Sequence, residues 1–192
     1  MTVRVMLVSP AANAALREAR FDGDAPLDRS GRERAEAAAG AVPGAGTHLS
    51  GPSERCLGTA AALGLTAART EPALTGWDLG RWTGRRLDEV GAAEPAQVAS
   101  WLGDPSAAPH GGESLRDLVD RAGAWLESLD APDGVCAVVE PSLLRGAVVH
   151  GLRLPLAAFW RLDVAPLSLT ELSGRSGRWN VRLGRPLGDP GR

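Results

Sequence analysis

Lysine, isoleucine and tyrosine are absent from this chain of 192 residues, so its 21 basic residues are all arginine. That profile follows a coding bias toward GC-rich codons and carries no functional information. Cysteine is nearly missing too. Cys56 and Cys136, far apart and in apolar or helical contexts, read as buried free thiols of a reducing cytosol, which excludes a disulfide framework. No excess of positive charge is present: the net charge is −2 and the pI about 5.9, which leaves no basic field to hold a nucleic-acid backbone or an anionic membrane. No apolar run reaches the length of a signal-peptide core or a spanning helix, so the expected location is the cytoplasm. The three histidines show no metal-ligand spacing, and neither a metal nor a cofactor is expected. His48 falls on a strand and His150 inside a helix. His110, in a loop, is the one placed to approach a pocket mouth.

What is present suffices for one folded domain: 44% of the residues are hydrophobic, and the chain is long enough to bury a core. The expected extent is 1–183, with 184–192 as a flexible tail. Val3, Val5, Met6, Leu7 and Val8 form a short apolar run closed by Pro10, the pattern of a strand buried on both faces. In open α/β sheets the active crevice lies at the carboxyl ends of such strands, here near Ser9. Residues 13–29 read as a long polar loop. Ser30-Gly31-Arg32-Glu33 has the form of a capping box for a helix over 30–41. Strands follow at 46–50 and 66–70, around a helix that begins at Gly51-Pro52 and runs through Leu63. Two short helices fit 87–102. Leu115, Leu118, Val119, Ala122, Trp125, Leu126 and Leu129 repeat at helical spacing after Gly111-Gly112-Glu113-Ser114. Val135 to Val139 is a second buried strand, 143–152 a helix, and 162–172 and 179–183 a strand pair joined through 174–177. Strands alternating with helices predict a three-layer α/β/α sandwich with a mostly parallel central sheet.

Five stretches in the right order resemble the histidine phosphatase superfamily, the phosphoglycerate-mutase-like proteins. Arg20-Phe21-Asp22-Gly23 with Pro26-Leu27 and Gly31 is similar to that family's Arg-Phe/Tyr-x-Gly segment. Ser50-Gly51-Pro52-Ser53-Glu54-Arg55 with Thr59-Ala60 is similar to its Ser-Ser-Pro-x-x-Arg helix start. Leu79 to Gly84, Gly111 to Ser114, and Leu154-Pro155 through Trp160 with Ser168 to Leu172 match further family patterns.

The resemblance implies nucleophilic catalysis through a histidine after the first strand, supported by a second histidine, two arginines and an acid. In this chain Ser9-Pro10-Ala11 stands where the family has Arg-His-Gly. Counting back from Arg145 and Pro155 puts Glu140 at the second histidine, and the family's acid falls at Gly76. Arg55 remains, with Arg20 near the mouth. No catalytic residue is therefore expected by the family mechanism, and Ser9, Arg20, Arg55 and Glu140 are the expected ligand-binding residues. Glu140 should pair with Arg55. A carboxylate about 4 Å from a phosphate costs roughly 4 kcal/mol at an effective dielectric near 20.

The expectation is thus a non-catalytic protein, a pseudoenzyme holding a small molecule or a protein partner, without nucleic acid or membrane and compatible with a homodimer. The alternative is a divergent phosphohydrolase, or another enzyme, using Glu140 and Arg55 in the same crevice. Ser9 reads as a turn hydroxyl ahead of a nucleophile, since no Gly-x-Ser-x-Gly elbow surrounds it. Glu140 reads as an ion-pair partner ahead of a general acid or base. Glu113 reads as a helix cap, and Trp77 and Trp82 as core packing ahead of ligand stacking.

Overall fold

The computed structural model describes residues 2–21 and 23–188. The apolar run near the start forms β1 (Val3–Val8), and the sheet is built outward from it. On one side β1 pairs in parallel with β4 (Val135–Val138), which pairs in parallel with β2 (Thr47–Ser50), which pairs in parallel with the two-residue β3 (Arg69–Thr70). On the other side β1 pairs antiparallel with β5 (Ser168–Arg175), and β5 with β6 (Arg178–Pro186). The order β3-β2-β4-β1-β5-β6 makes a mixed sheet, parallel in its larger part.

Alternation along β1 assigns the two faces. Val3, Val5 and Leu7 join α6 (Leu115–Ser128) and α7 (Pro141–Gly151) in the larger core. Met6 and Val8 pack with Cys56 and Ala60 of α3 (Glu54–Ala62) and with Ala38, which ends α2 (Arg29–Ala37). This is the expected three-layer α/β/α arrangement. A separate aromatic cluster of Trp82, Val90 and Trp101 forms around α4 (Leu87–Ala93) and α5 (Pro95–Gly103), with Phe21 stacked on Trp82 at 5.7 Å. Trp82 is fully buried, so core packing is its role. No described helix is long and apolar enough to cross a membrane.

Several boundaries differ from the sequence expectation. The 13–29 loop contains a short helix, α1 (Ala14–Arg17), capped by Asn13. Asp28, not Ser30, caps α2, its Oδ1 accepting from the Gly31 N–H at 2.9 Å. The 66–70 strand shrinks to two residues at the sheet edge. Residues 156–161 form a 3₁₀ segment and 162–167 are irregular and end in a turn, so β5 starts only at Ser168. The tail expected from residue 184 is not separate at its start. β6 runs through Pro186, and Leu187 is buried, its N–H donating to the Leu167 carbonyl. Residues 189–192 lie outside the described residues.

Candidate functional site

The three central parallel strands end together, and the segments just beyond their ends form the crevice. Beyond β2 comes Gly51-Pro52-Ser53, where Ser53 caps α3 by accepting from the Cys56 N–H at 3.2 Å. Arg55 therefore lies in the first turn of α3. Beyond β4 comes Val139-Glu140. Glu140 is the N-cap residue of α7 and Pro141 its first helical residue, a position where a missing N–H costs nothing. These two helix starts bring Arg55 and Glu140 into contact 85 residues apart in sequence.

The expected pair is present and buried: Arg55 is 4% and Glu140 8% exposed. Arg55 Nη2 donates to Glu140 Oε2, and its Nε to Oε1 at 3.3 Å, a bidentate arrangement. Ser53 Oγ donates to the same Oε1 at 2.8 Å, and Cys56 Sγ lies 3.6 Å from it. Burial, then the Glu140 charge, push the Cys56 thiol well above its ordinary value, so it is a neutral donor and no nucleophile. A Cβ on Gly76 would stand 3.1 Å from Glu140 Cγ, so the residue at which the resemblance leads one to expect the family's acid lies directly against Glu140. Pro10 is buried beside Ser9.

Ser9 is not part of this group, a correction to its expected ligand-binding role. It is fully buried, its Oγ donates to the Ala165 carbonyl at 2.5 Å, and the Ser168 N–H donates back to it at 3.0 Å. The hydroxyl fastens the end of β1 to the start of β5. Arg20 sits at the surface, 37% exposed in its side chain, with Nε on Glu18 and Nη1 on the Gly84 carbonyl.

The histidines lie elsewhere. His48 is on β2 opposite Cys136, and His150 Nε2 lies 3.3 Å from Glu127. His110 is 1% exposed, its Nδ1 accepting from the Gly112 N–H at 3.1 Å, and its ring is held edge-on to Trp82 and Trp101. Burial lowers its pKa. Among the described residues no group of three His, Cys, Asp or Glu side chains could hold a metal ion.

Three supporting residues are not assigned by the sequence. Ser53 and Cys56 flank Arg55 at one helix start, a proximity that was legible but whose shared acceptor was not. Arg121 donates to the Ala73, Thr75 and Gly76 carbonyls and pairs with Glu113 through both carboxylate oxygens, holding the Gly76 loop in place. Glu113 is thus an ion-pair partner and not the expected cap. Ser114 caps α6, reciprocated by Asp117. Trp77 donates its Nε1 to the Glu113 carbonyl at 2.7 Å and belongs to the same support.

Comparison with known proteins agrees with the fold. The model of the histidine phosphatase superfamily (branch 1) matches residues 10–185. Glucosyl-3-phosphoglycerate phosphatase of Mycolicibacterium vanbaalenii is 38% identical over 104 residues, a match spanning 52% of this chain and 46%, about half, of that protein's length. The structure of a mycobacterial glucosyl-3-phosphoglycerate phosphatase in complex with VO3 superimposes with a TM-score of 0.82 at 27% identity, covering 96% of this chain and 99% of the other. A phosphoserine phosphatase from Entamoeba histolytica in complex with phosphoserine gives a TM-score of 0.84 at 15% identity, a likeness of fold alone. These relatives are phosphatases, which overturns the expectation of a non-catalytic binding protein and the pseudoenzyme reading with it. The chain belongs to the histidine phosphatase superfamily.

Proposed function

We propose that this protein hydrolyses phosphoric monoesters in the crevice at the carboxyl ends of β1, β2 and β4, using Arg55 and Glu140 and no phosphohistidine. The observation that carries the reading is the buried Arg55–Glu140 pair with Ser53 and Cys56 on the same carboxylate. Its phosphatase relatives supply the reaction class. Ser9-Pro10-Ala11 and Glu140 at the family's histidine positions leave no imidazole there for a covalent step.

In this route the substrate phosphate takes the Arg55 guanidinium and displaces Glu140 from it. The freed carboxylate then lies beside a phosphate dianion. Water attacks phosphorus and gives its proton to Glu140 as the new P–O bond forms. The ester P–O bond breaks with its electron pair on the leaving oxygen, which takes that proton back. The products are an alcohol and inorganic phosphate, with the carboxylate regenerated. A positioned general base of this kind contributes about 10²–10⁴-fold.

The first substrate to try is glucosyl-3-phosphoglycerate, after the relatives' name, beside an aryl phosphate. Purified protein is compared with Arg55→Ala, Glu140→Ala and the isosteric Glu140→Gln. The expected result is activity that falls by about two orders of magnitude or more in Glu140→Gln with the fold intact by circular dichroism. No turnover of either ester by the wild type, or equal turnover by all four proteins, overturns the reading.

A further inference from the structure

On the face of the sheet that carries Met6 and Val8, those two side chains are buried beneath α2 and α3, while Arg4, earlier on the same strand, is exposed. Arg4 lies on that face, since Val3 and Val5 on either side of it enter the α6–α7 core. Across the ladder Ser173 stands opposite Arg4 and Glu171 opposite Met6, and on β6 Asn180 pairs with Ser173, Arg182 with Glu171 and Arg178 with Arg175. Arg185 pairs with Leu169, whose side chain belongs to the same face. A regular strand would not place residues 182 and 185 on one face, because their spacing is odd. The irregularity between Leu169 and Glu171, with Gly184 at a φ of +70°, turns Arg185 back onto it.

The result is a ledge of five exposed arginines, Arg4, Arg175, Arg178, Arg182 and Arg185, with Glu171 paired to Arg4 at 3.4 Å and Glu127 and Asp130 bordering Arg175 from the other face of the sheet. A polar concavity of about 500 Å³ opens at its end, lined by Arg175 and Arg178 with Ser173, Asn180 and Thr2. In a chain of net charge −2 this is a concentrated positive field. β6 is also the last strand of the sheet, so its outer backbone edge is available for pairing.

We propose that this ledge docks an acidic, extended segment of a partner protein, which adds to the outer edge of β6 and lays its carboxylates over the arginines. From Arg178 to Arg185 the strand spans about 23 Å, too long a row for one small phosphorylated molecule to fill. Charge complementarity selects an anion, and the free backbone edge selects a polypeptide, because only a peptide offers N–H and C=O groups at strand spacing. None of the ledge side chains is aromatic, so unpaired bases would find no stacking platform. Arginines on an edge strand also deter aggregation, and the test separates that role from recognition.

The probe is a fluorescent peptide of about 12 residues alternating Glu and Thr, titrated with the full chain at low salt and followed by anisotropy. Saturable binding is expected, weakened about tenfold or more in Arg178→Glu/Arg182→Glu. Equal charge changes away from the ledge, Arg29→Glu/Arg69→Glu, should leave it within about twofold. A peptide alternating Glu and Pro carries the same charge without the N–H donors and should bind far more weakly. Amide exchange over 178–186 should slow in the wild-type complex, a reading that stands even if the ledge variant fails to fold. Equal affinity for the Glu-Pro peptide, tighter binding of a single-stranded oligonucleotide than of the peptide, or no peptide binding would each overturn the proposal. Phosphoric monoester hydrolysis plays no part in this test, and the ledge variants should retain it.

Discussion

Arg55 depends on its neighbour more than any other charged residue near the crevice. Its pairing with Glu140 is nine-tenths buried on both sides, so removing one partner strands the other charge away from water. Arg55→Ala should cost about 3–5 kcal/mol in urea unfolding, while Arg55→Leu combined with Glu140→Leu should cost much less, because no uncompensated charge remains. A loss of under about 1 kcal/mol in the single variant would show that the pair is open to solvent. This pairing was legible in the sequence, because the register of Arg55 on one helix start and Glu140 on another puts both at the strand ends. Ser9 was not legible in the same way. Its partners, the Ala165 carbonyl and Ser168, are 156 and 159 residues distant, and a turn hydroxyl near a crevice looks the same in sequence whether it faces in or out.

At the scale of elements, caps decide where helices begin, and two serines make the contrast. Ser114 accepts from the Asp117 N–H at 3.2 Å and is reciprocated by the Asp117 carboxylate, whereas Ser30 lies within α2 behind the true cap, Asp28. Ser114→Ala should destabilise the protein by about 0.5–2 kcal/mol and Ser30→Ala by a few tenths at most. Equal effects in thermal melts would contradict the assignment. The β5–β6 hairpin is held by Glu127, which accepts from the Gly177 N–H at 3.0 Å and from Trp179 Nε1 at 2.8 Å, with His150 at 3.3 Å. Burial works to raise the Glu127 pKa, but the Trp179, Gly177 and His150 interactions prevail and hold it below the ordinary 4.5. A depressed carboxylate pKa stabilises the fold above the unfolded value, and that stability is lost as pH falls through the folded value. Amide exchange at Gly177 and Trp179, corrected for intrinsic rate, should therefore accelerate as pH drops below about 4.5, and Glu127→Gln should remove the pH step.

For the whole molecule, the two cores lie on opposite faces of one sheet and share its strands, so they should unfold together. The cysteines report this. Both are fully buried on the α2–α3 side, and burial pushes the Cys136 thiol up to about 12. Neither thiol should react with an aryl disulfide at pH 8 in the native protein, and both should react at once in denaturant. Fast reaction of one thiol under native conditions would indicate local opening of that layer.

By itself the sequence determined whatever a short window can encode. The apolar run of β1, the stripe of α6, the turn at 132–134 and the ordered family motifs depend on neighbours a few residues apart, and from them the three-layer α/β/α class can be deduced. Tertiary structure decided the partnerships of groups whose local signals were ambiguous: Glu113 bound to Arg121, Ser9 turned onto β5, and Arg185 turned back onto the face of the sheet that carries Met6. Each is a polar group choosing among acceptors or faces of similar local quality, and only the folded backbone fixes which one lies within about 3 Å.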